Sequence, residues 1–212
     1  MSQVKPTDEI VVRLQVPYKA QKKKMSCWYA SAKMVLGYRL GSASGIKKNV
    51  LMQSDAGRET HAHMKAKSGT VGTDEPEGVG TTEKEWPMVA KAFGLHPLDV
   101  AEVNRIASNF MDLHAALLTH GPLWCAGRFF QAGSDGGHVI VVTGLMKRKL
   151  LGSVKEYIIF HDPAPAILNG GDECVKLYDG YFKTQTRNNK QSGLFSLVET
   201  EGVPPVMYAP PA

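Results

Sequence analysis

Three apolar, β-branched or aromatic runs follow one another late in the chain, at residues 123–130, 138–145 and 155–162. Only a Gly-rich turn (132–137) and a charged hairpin (147–152) separate them. That pattern is a meander of antiparallel strands, and it restricts the fold more than any other feature of the chain. Shorter strands are predicted at 175–177 and 194–198. The front half has a different period. Residues 10–16 alternate and read as a strand ending at Pro17. From Cys27 onward Trp28, Ala32, Val35 and Leu36 fall on one helical face, with Ser26 at the N-cap position and a stop near Gly41. A short helix opens at Thr81 or Thr82 and closes at Gly94, and another near 111–119 ends at Gly121-Pro122.

The expected fold class is therefore α+β: an N-terminal helical part packed on a C-terminal antiparallel β-sheet, in a single domain spanning 1–212. Residues 41–80, rich in Gly, Ser, Thr and charge, read as a mobile insertion, and 203–212 as a proline-rich tail without regular structure. There is no internal repeat and no βαβ alternation. The scattered glycines lack phosphate-loop spacing, so a dinucleotide or nucleotide site of that kind is not expected.

Composition narrows the class further. With 212 residues, 43% apolar and 21% charged, the chain can bury about 70% of its unfolded surface and needs no metal or disulfide staple. No apolar run approaches the ~20 residues of a membrane helix, so no membrane partner is expected. The start, MSQVKPTDEI, has no signal-peptide apolar region, which points to synthesis in the cytoplasm. Cys27, Cys125 and Cys174 are too few and odd in number for a disulfide framework, which points to a reducing compartment. Of the net charge of +5, the first fifty residues hold ten Lys or Arg against Asp8 and Glu9. That face could meet nucleic acid or an acidic protein surface, but no nucleic-acid motif and no interleaved aromatics accompany it. A solvated lysine-rich face is the simpler reading.

The chemistry concentrates around Cys27. A cysteine in the first turn of a helix faces backbone N–H groups and a dipole that favour thiolate. Gln21, six residues upstream, can bring its amide to the same point and, with the Cys27 N–H, form an oxyanion hole. A nucleophilic cysteine needs a base and the base an orienting group. His138 opens an apolar strand after Gly136-Gly137, and Asp162 ends the next one, where it can accept an imidazole N–H. Alternation puts Ile158, Phe160 and Asp162 on one face and His161 on the other, so His161 is only a reserve base. Cys125 reads as core, and Cys174 as an inert thiol exposed in a polar loop. His61 and His63 have metal-ligand character, but no cysteine or carboxylate pattern completes a site on what reads as a loop. No metal or cofactor is expected. Trp28 reads as packing beside the cysteine, with a substrate-binding cleft wall as the other role considered for it.

Gln-x5-Cys-Trp at a helix start, Gly-His-x-Ile-Val-Val-Thr-Gly, and Asp-Pro at the end of the following strand together resemble a papain-like cysteine peptidase. The likeness is to the compact bacterial type: bacteriocin-processing peptidases, staphopain-type enzymes and secreted effector proteases. It spans residues ~10 to ~165, with Asp where plant papains have Asn. The resemblance implies Gln21 as the oxyanion-hole residue, Cys27 as nucleophile, His138 as base and Asp162 as orienter of an endopeptidase working through a thioester. It further implies a protein substrate and a bacterial effector or toxin. Such a protein would be delivered by a specialised secretion system, such as type VI secretion in interbacterial competition, into a target-cell cytoplasm. A cognate immunity or inhibitor protein is then a candidate partner. The same triad also serves transglutaminases, glutamine deamidases and peptidoglycan amidases. A transglutaminase would bring the histidine closer in sequence to the cysteine, and the amidase's Asp-Cys-Ser-Gly is absent. A catalytically silent basic binding module is the non-enzyme alternative.

Overall fold

The computed structural model describes residues 4–22, 25–41, 50–68, 81–128, 137–164, 171–181, 185–187, 190–194 and 204–210. The elements begin with strand β1 (Glu9–Arg13), helix α1 (Cys27–Arg39), a 3-10 turn (Val50–Gln53), helix α2 (Asp55–Ser68) and a second 3-10 turn (Glu83–Glu85). Helix α3 (Trp86–Phe93), strand β2 (His96–Pro97) and helices α4 (Val100–Ser108) and α5 (Phe110–His120) lead to the sheet. The sheet region then runs β3 (Leu123–Arg128), β4 (His138–Leu150), β5 (Ser153–Asp162), β6 (Gly171–Leu177), the single turn α6 (Tyr178–Tyr181), β7 (Gln185–Arg187), β8 (Lys190–Leu194) and β9 (Val206–Tyr208).

The expected meander is present, and all its pairings are antiparallel, in the order β2-β9-β3-β4-β5-β6. The long strand β4 is its spine. Along one edge β3 pairs with residues 138–142 and β1 with residues 144–147, while β5 follows the other edge from Val141↔His161 to Leu150↔Ser153. The two neighbours on one edge meet at Gly144, where a Cβ would stand 2.4 Å from the Val12 carbonyl oxygen. Only glycine allows so close a backbone approach.

Alternation along β3 and β4 sorts the core onto two faces. Trp124, Ala126, Val139 and Val141 pack with Trp28, Val35, Trp86 and Phe93 of α1 and α3. Leu123, Cys125, Ile140 and Val142 pack with Ile106, Leu113 and Leu117 of α4 and α5. Each Val, Leu, Ile or Phe among them, once fully buried, contributes about 1.5–3 kcal/mol. The helices thus cover both faces of the sheet instead of stacking on one.

Three stretches differ from the sequence reading. Part of the stretch 41–80, read as a mobile insertion, is regular: Val50–Gln53 and α2 lie within it, with Leu51, Thr60 and Met64 buried. Residues 42–49 and 69–80 lie outside the described residues. The proline-rich end is not structureless. The prolines flank the run Val-Met-Tyr without interrupting it, and β9 is seated between β2 and β3 with Val206 and Met207 fully buried. Helix α4 is not among the expected elements, although its start is written in the sequence: Asp99 accepts the Glu102 backbone N–H at 2.7 Å, a capping arrangement typical of D-x-x-E. Of the strand expected at 194–198, Leu194 ends β8 and 195–198 lie outside the described residues.

Candidate active site

Cys27 is the first residue of α1, a nearly buried free thiol. Met25, two residues earlier, holds φ 67°, a left-handed conformation that turns the chain sharply into the helix. Ser26 occupies the N-cap, but its side chain does not cap the helix; the Ser26 carbonyl accepts the Ala30 N–H at 3.1 Å. The N–H groups of the first turn have no acceptor within the helix and stand at its positive pole, beside the sulfur.

His138 and Asp162 reach the same point from the sheet. His138 is the first residue of β4 and Asp162 the last of β5, so both stand at one end of the antiparallel pair. His138 Nε2 and Asp162 Oδ1 are 2.7 Å apart. That leaves Nδ1 as the ring nitrogen for the thiol, and a side-chain hydrogen bond links His138 to Cys27. Burial disfavours the imidazolium, but the hydrogen bonds and charges of Asp162 and Cys27 outweigh it and push the His138 pKa up from 6.5 to about 10. Asp162 is wholly buried, and the same Oδ1 accepts the Ala164 backbone N–H at 2.9 Å. This Asx-type turn is one that Asp-Pro sequences favour.

The loop carrying Gln21 is tied to that turn. The Gln21 backbone N–H donates to the Pro163 carbonyl at 2.8 Å, and the Tyr18 hydroxyl donates to the Asp162 carbonyl at 3.1 Å. Burial, together with the Asp162 charge, pushes the Tyr18 pKa up to about 12, so the phenol keeps its proton. Gln21 therefore lies one backbone hydrogen bond from the residue that follows Asp162. The sequence offers no local signal for Tyr18, whereas the Ala164 contact was legible in Asp162-Pro163.

His161 has another place. Its Nδ1 accepts the Glu173 backbone N–H at 3.2 Å and its Nε2 donates to the Val16 carbonyl at 3.0 Å, with the Tyr18 ring edge-on to it. Both nitrogens are engaged, and burial lowers its pKa, so it is held neutral. Trp28 takes the packing role expected beside the cysteine, and its burial gives no support to a cleft wall. Its side chain is 0% exposed, stacks edge-on to Tyr29 and Phe93, and its carbonyl accepts the Trp124 Nε1–H at 3.1 Å. Cys125 is core, its thiol pushed far up by burial. Cys174 is neither exposed nor in a loop: it pairs with Phe160 inside β6, and burial pushes its pKa up to about 11. His61 and His63 lie on α2, and His63 contacts Glu85 at 3.1 Å. Among the described residues no group of three or more His, Cys, Asp or Glu could hold a metal ion, and no helix is long and apolar enough to cross a membrane.

A thiol at a helix start, an imidazole bonded to it, a carboxylate on the far ring nitrogen and an amide-bearing loop alongside are the parts needed for acyl transfer through a thioester. A family model described as papain-like cysteine protease AvrRpt2 matches residues 10–170, well over half of the chain. No curated protein matches it.

Proposed function

This chain belongs to the papain-like cysteine protease family of AvrRpt2 type, and from that premise we propose which side chains carry the hydrolysis. The Cys27 sulfur, as thiolate beside protonated His138, attacks a peptide carbonyl carbon. The oxyanion that forms is held by the Gln21 side-chain amide and the Cys27 backbone N–H. Collapse of the tetrahedral adduct breaks the C–N bond, and His138 gives its proton to the leaving amine. Water, deprotonated by His138, then splits the thioester, and the sulfur returns as thiolate. Asp162 holds the imidazole in one orientation and stabilises its charge. The observation that carries this reading is the continuous linkage Cys27–His138–Asp162 at the end of β4 and β5.

Cys27→Ala and His138→Ala are expected to abolish peptide cleavage, and turnover surviving in either would overturn the assignment. Thiol alkylation at about pH 6, mapped by mass spectrometry, should modify Cys27 well ahead of Cys125 and Cys174, whose pKa values burial raises. That preference should vanish in His138→Ala. Equal, slow labelling of all three thiols would mean that Cys27 is not activated.

The biological setting proposed is that of a secreted bacterial effector or toxin cutting a protein substrate in a target-cell cytoplasm, with type VI secretion as a delivery route and a cognate immunity protein as restraint. The family match and three free thiols, suited to a reducing milieu, support it. Inducible expression in a target cell should arrest growth for the wild type and not for Cys27→Ala; equal growth of the two would remove this reading.

A further inference from the structure

Strands β4 and β5 outrun their neighbours. β1 leaves β4 at Glu9↔Lys147 and β6 leaves β5 at Tyr157↔Leu177, while β4 and β5 go on pairing to Leu150↔Ser153. The resulting two-stranded finger is closed by Leu151 and Gly152, with φ values of 47° and 84°. Two consecutive positive φ angles make a type I′ turn, whose first position ordinarily takes Asn, Asp or Gly. Leu151 is strained there, and the residue is fully exposed. Leu150 and Val154 beside it are also exposed. A leucine that neither suits its backbone nor packs on its own fold points to a use outside that fold.

Charge says what that use is. Lys149 pairs with Val154 and shares its face, while Lys155, opposite Arg148, shares the face of Leu150 and Ser153. Both lysines are exposed, so the apolar tip carries a cation on each side, and residues 147–155 contain no Asp or Glu. Arg148 is engaged by Asp8, and Lys147 stands between Glu9 and Glu156, so neither adds to the collar. Against the expectation of no membrane partner, which rests on the lack of a spanning run and does not bear on peripheral contact, we propose that the tip formed by Leu150, Leu151 and Val154, with Lys149 and Lys155, docks this protein peripherally on an anionic lipid bilayer. The aliphatic side chains enter the acyl boundary, and the lysine stems follow the surface with their ammonium groups among the phosphates. A protein partner fits less well: the finger is convex, residues 148–155 include no aromatic residue, and lysine is depleted from protein–protein contacts.

The docking end is the far end from the candidate active site. His138 begins β4 and Leu150 ends it, twelve steps of about 3.3 Å apart, so the site faces the aqueous side roughly 40 Å from the lipid.

Flotation of the full chain with phosphatidylcholine vesicles, with and without phosphatidylserine, tests this without reference to turnover. Binding is expected only with phosphatidylserine, and it should weaken as salt is raised. Lys149→Gln with Lys155→Gln should lower the partition about 25-fold. Leu151→Asn should lower it about tenfold to hundredfold while raising the unfolding midpoint, because Asn suits the positive φ; lost binding then cannot be lost folding. Absence of vesicle binding, equal binding to uncharged vesicles, or undiminished binding by Leu151→Asn would each overturn the proposal. Capture of a protein through the tip by a chain that ignores vesicles would do the same.

Discussion

His138 carries the strongest electrostatic signature at the candidate site, and its consequences for pH follow from the sign of its shift. Its pKa is raised from 6.5 to about 10, so Asp162 and Cys27 stabilise the protonated ring. A raised folded-state pKa gives stability that is complete below about 6.5 and lost as pH climbs through about 10. The stability gap between wild type and His138→Gln, read by denaturant unfolding, should therefore narrow from pH 6 to pH 10. A constant gap would mean that the ring is not held charged. Asp162→Asn keeps an oxygen to accept from His138 and Ala164 but removes the charge. Turnover should fall less than in Cys27→Ala, and the alkaline limb of the pH–rate profile should move downward from about 10 as the imidazolium loses support. An unmoved limb would assign that limb to another group. A short local pattern singles out each of Cys27, His138, Asp162 and Gln21, and the structure brings the first three together. Tyr18 has no such pattern, since its bond to Asp162 joins residues 144 positions apart.

At the scale of elements, what matters is how closely backbones approach. β1 and β3 both lie along one edge of β4, and the register of β4 against β5 shifts between Val142 and Gly144. A methyl group on Gly144 would meet the Val12 carbonyl oxygen at 2.4 Å, which β1 can relieve only by moving away. Gly144→Ala should cost about 1–3 kcal/mol in urea unfolding, and an unchanged midpoint would show that β1 yields freely. The sequence reading located α1, α3, α5 and the three meander strands because each has a clear period, and Gly94 ends α3 in the left-handed conformation its residue type favours. It passed over α4 and, while leaving room for helix within 41–80, set no bounds for α2 there. Few positions of α2 are apolar, and its partners come from elsewhere: Met64 of α2 and Leu51 of the 3-10 turn before it enter the cluster that α3 and α1 share.

For the whole molecule, the two ends of the described chain complete the sheet. β9 comes from the C-terminal region yet sits between β2 and β3, with its Val206 and Met207 sealing opposite faces of the core. Removing residues 204–212 should expose Trp124 and Cys125 at a raw sheet edge and lower the unfolding midpoint sharply, with dye binding to the newly opened apolar surface. A truncated chain as stable as the full one would show β9 to be dispensable.

By itself the amino-acid order determined the antiparallel meander, the helix that opens at Cys27 and which residues are proposed for acyl transfer. These rest on local chemistry: period two or 3.6, glycine and proline at turns, a thiol at a helix start. The tertiary structure alone decided that helices cover both faces of the sheet, that β9 is seated between β2 and β3, that Cys174 is buried, and that Tyr18 braces the Asp162 turn. Those outcomes depend on contacts between segments far apart in the chain. No local period or spacing encodes which distant segment will supply the missing hydrogen bonds and apolar cover.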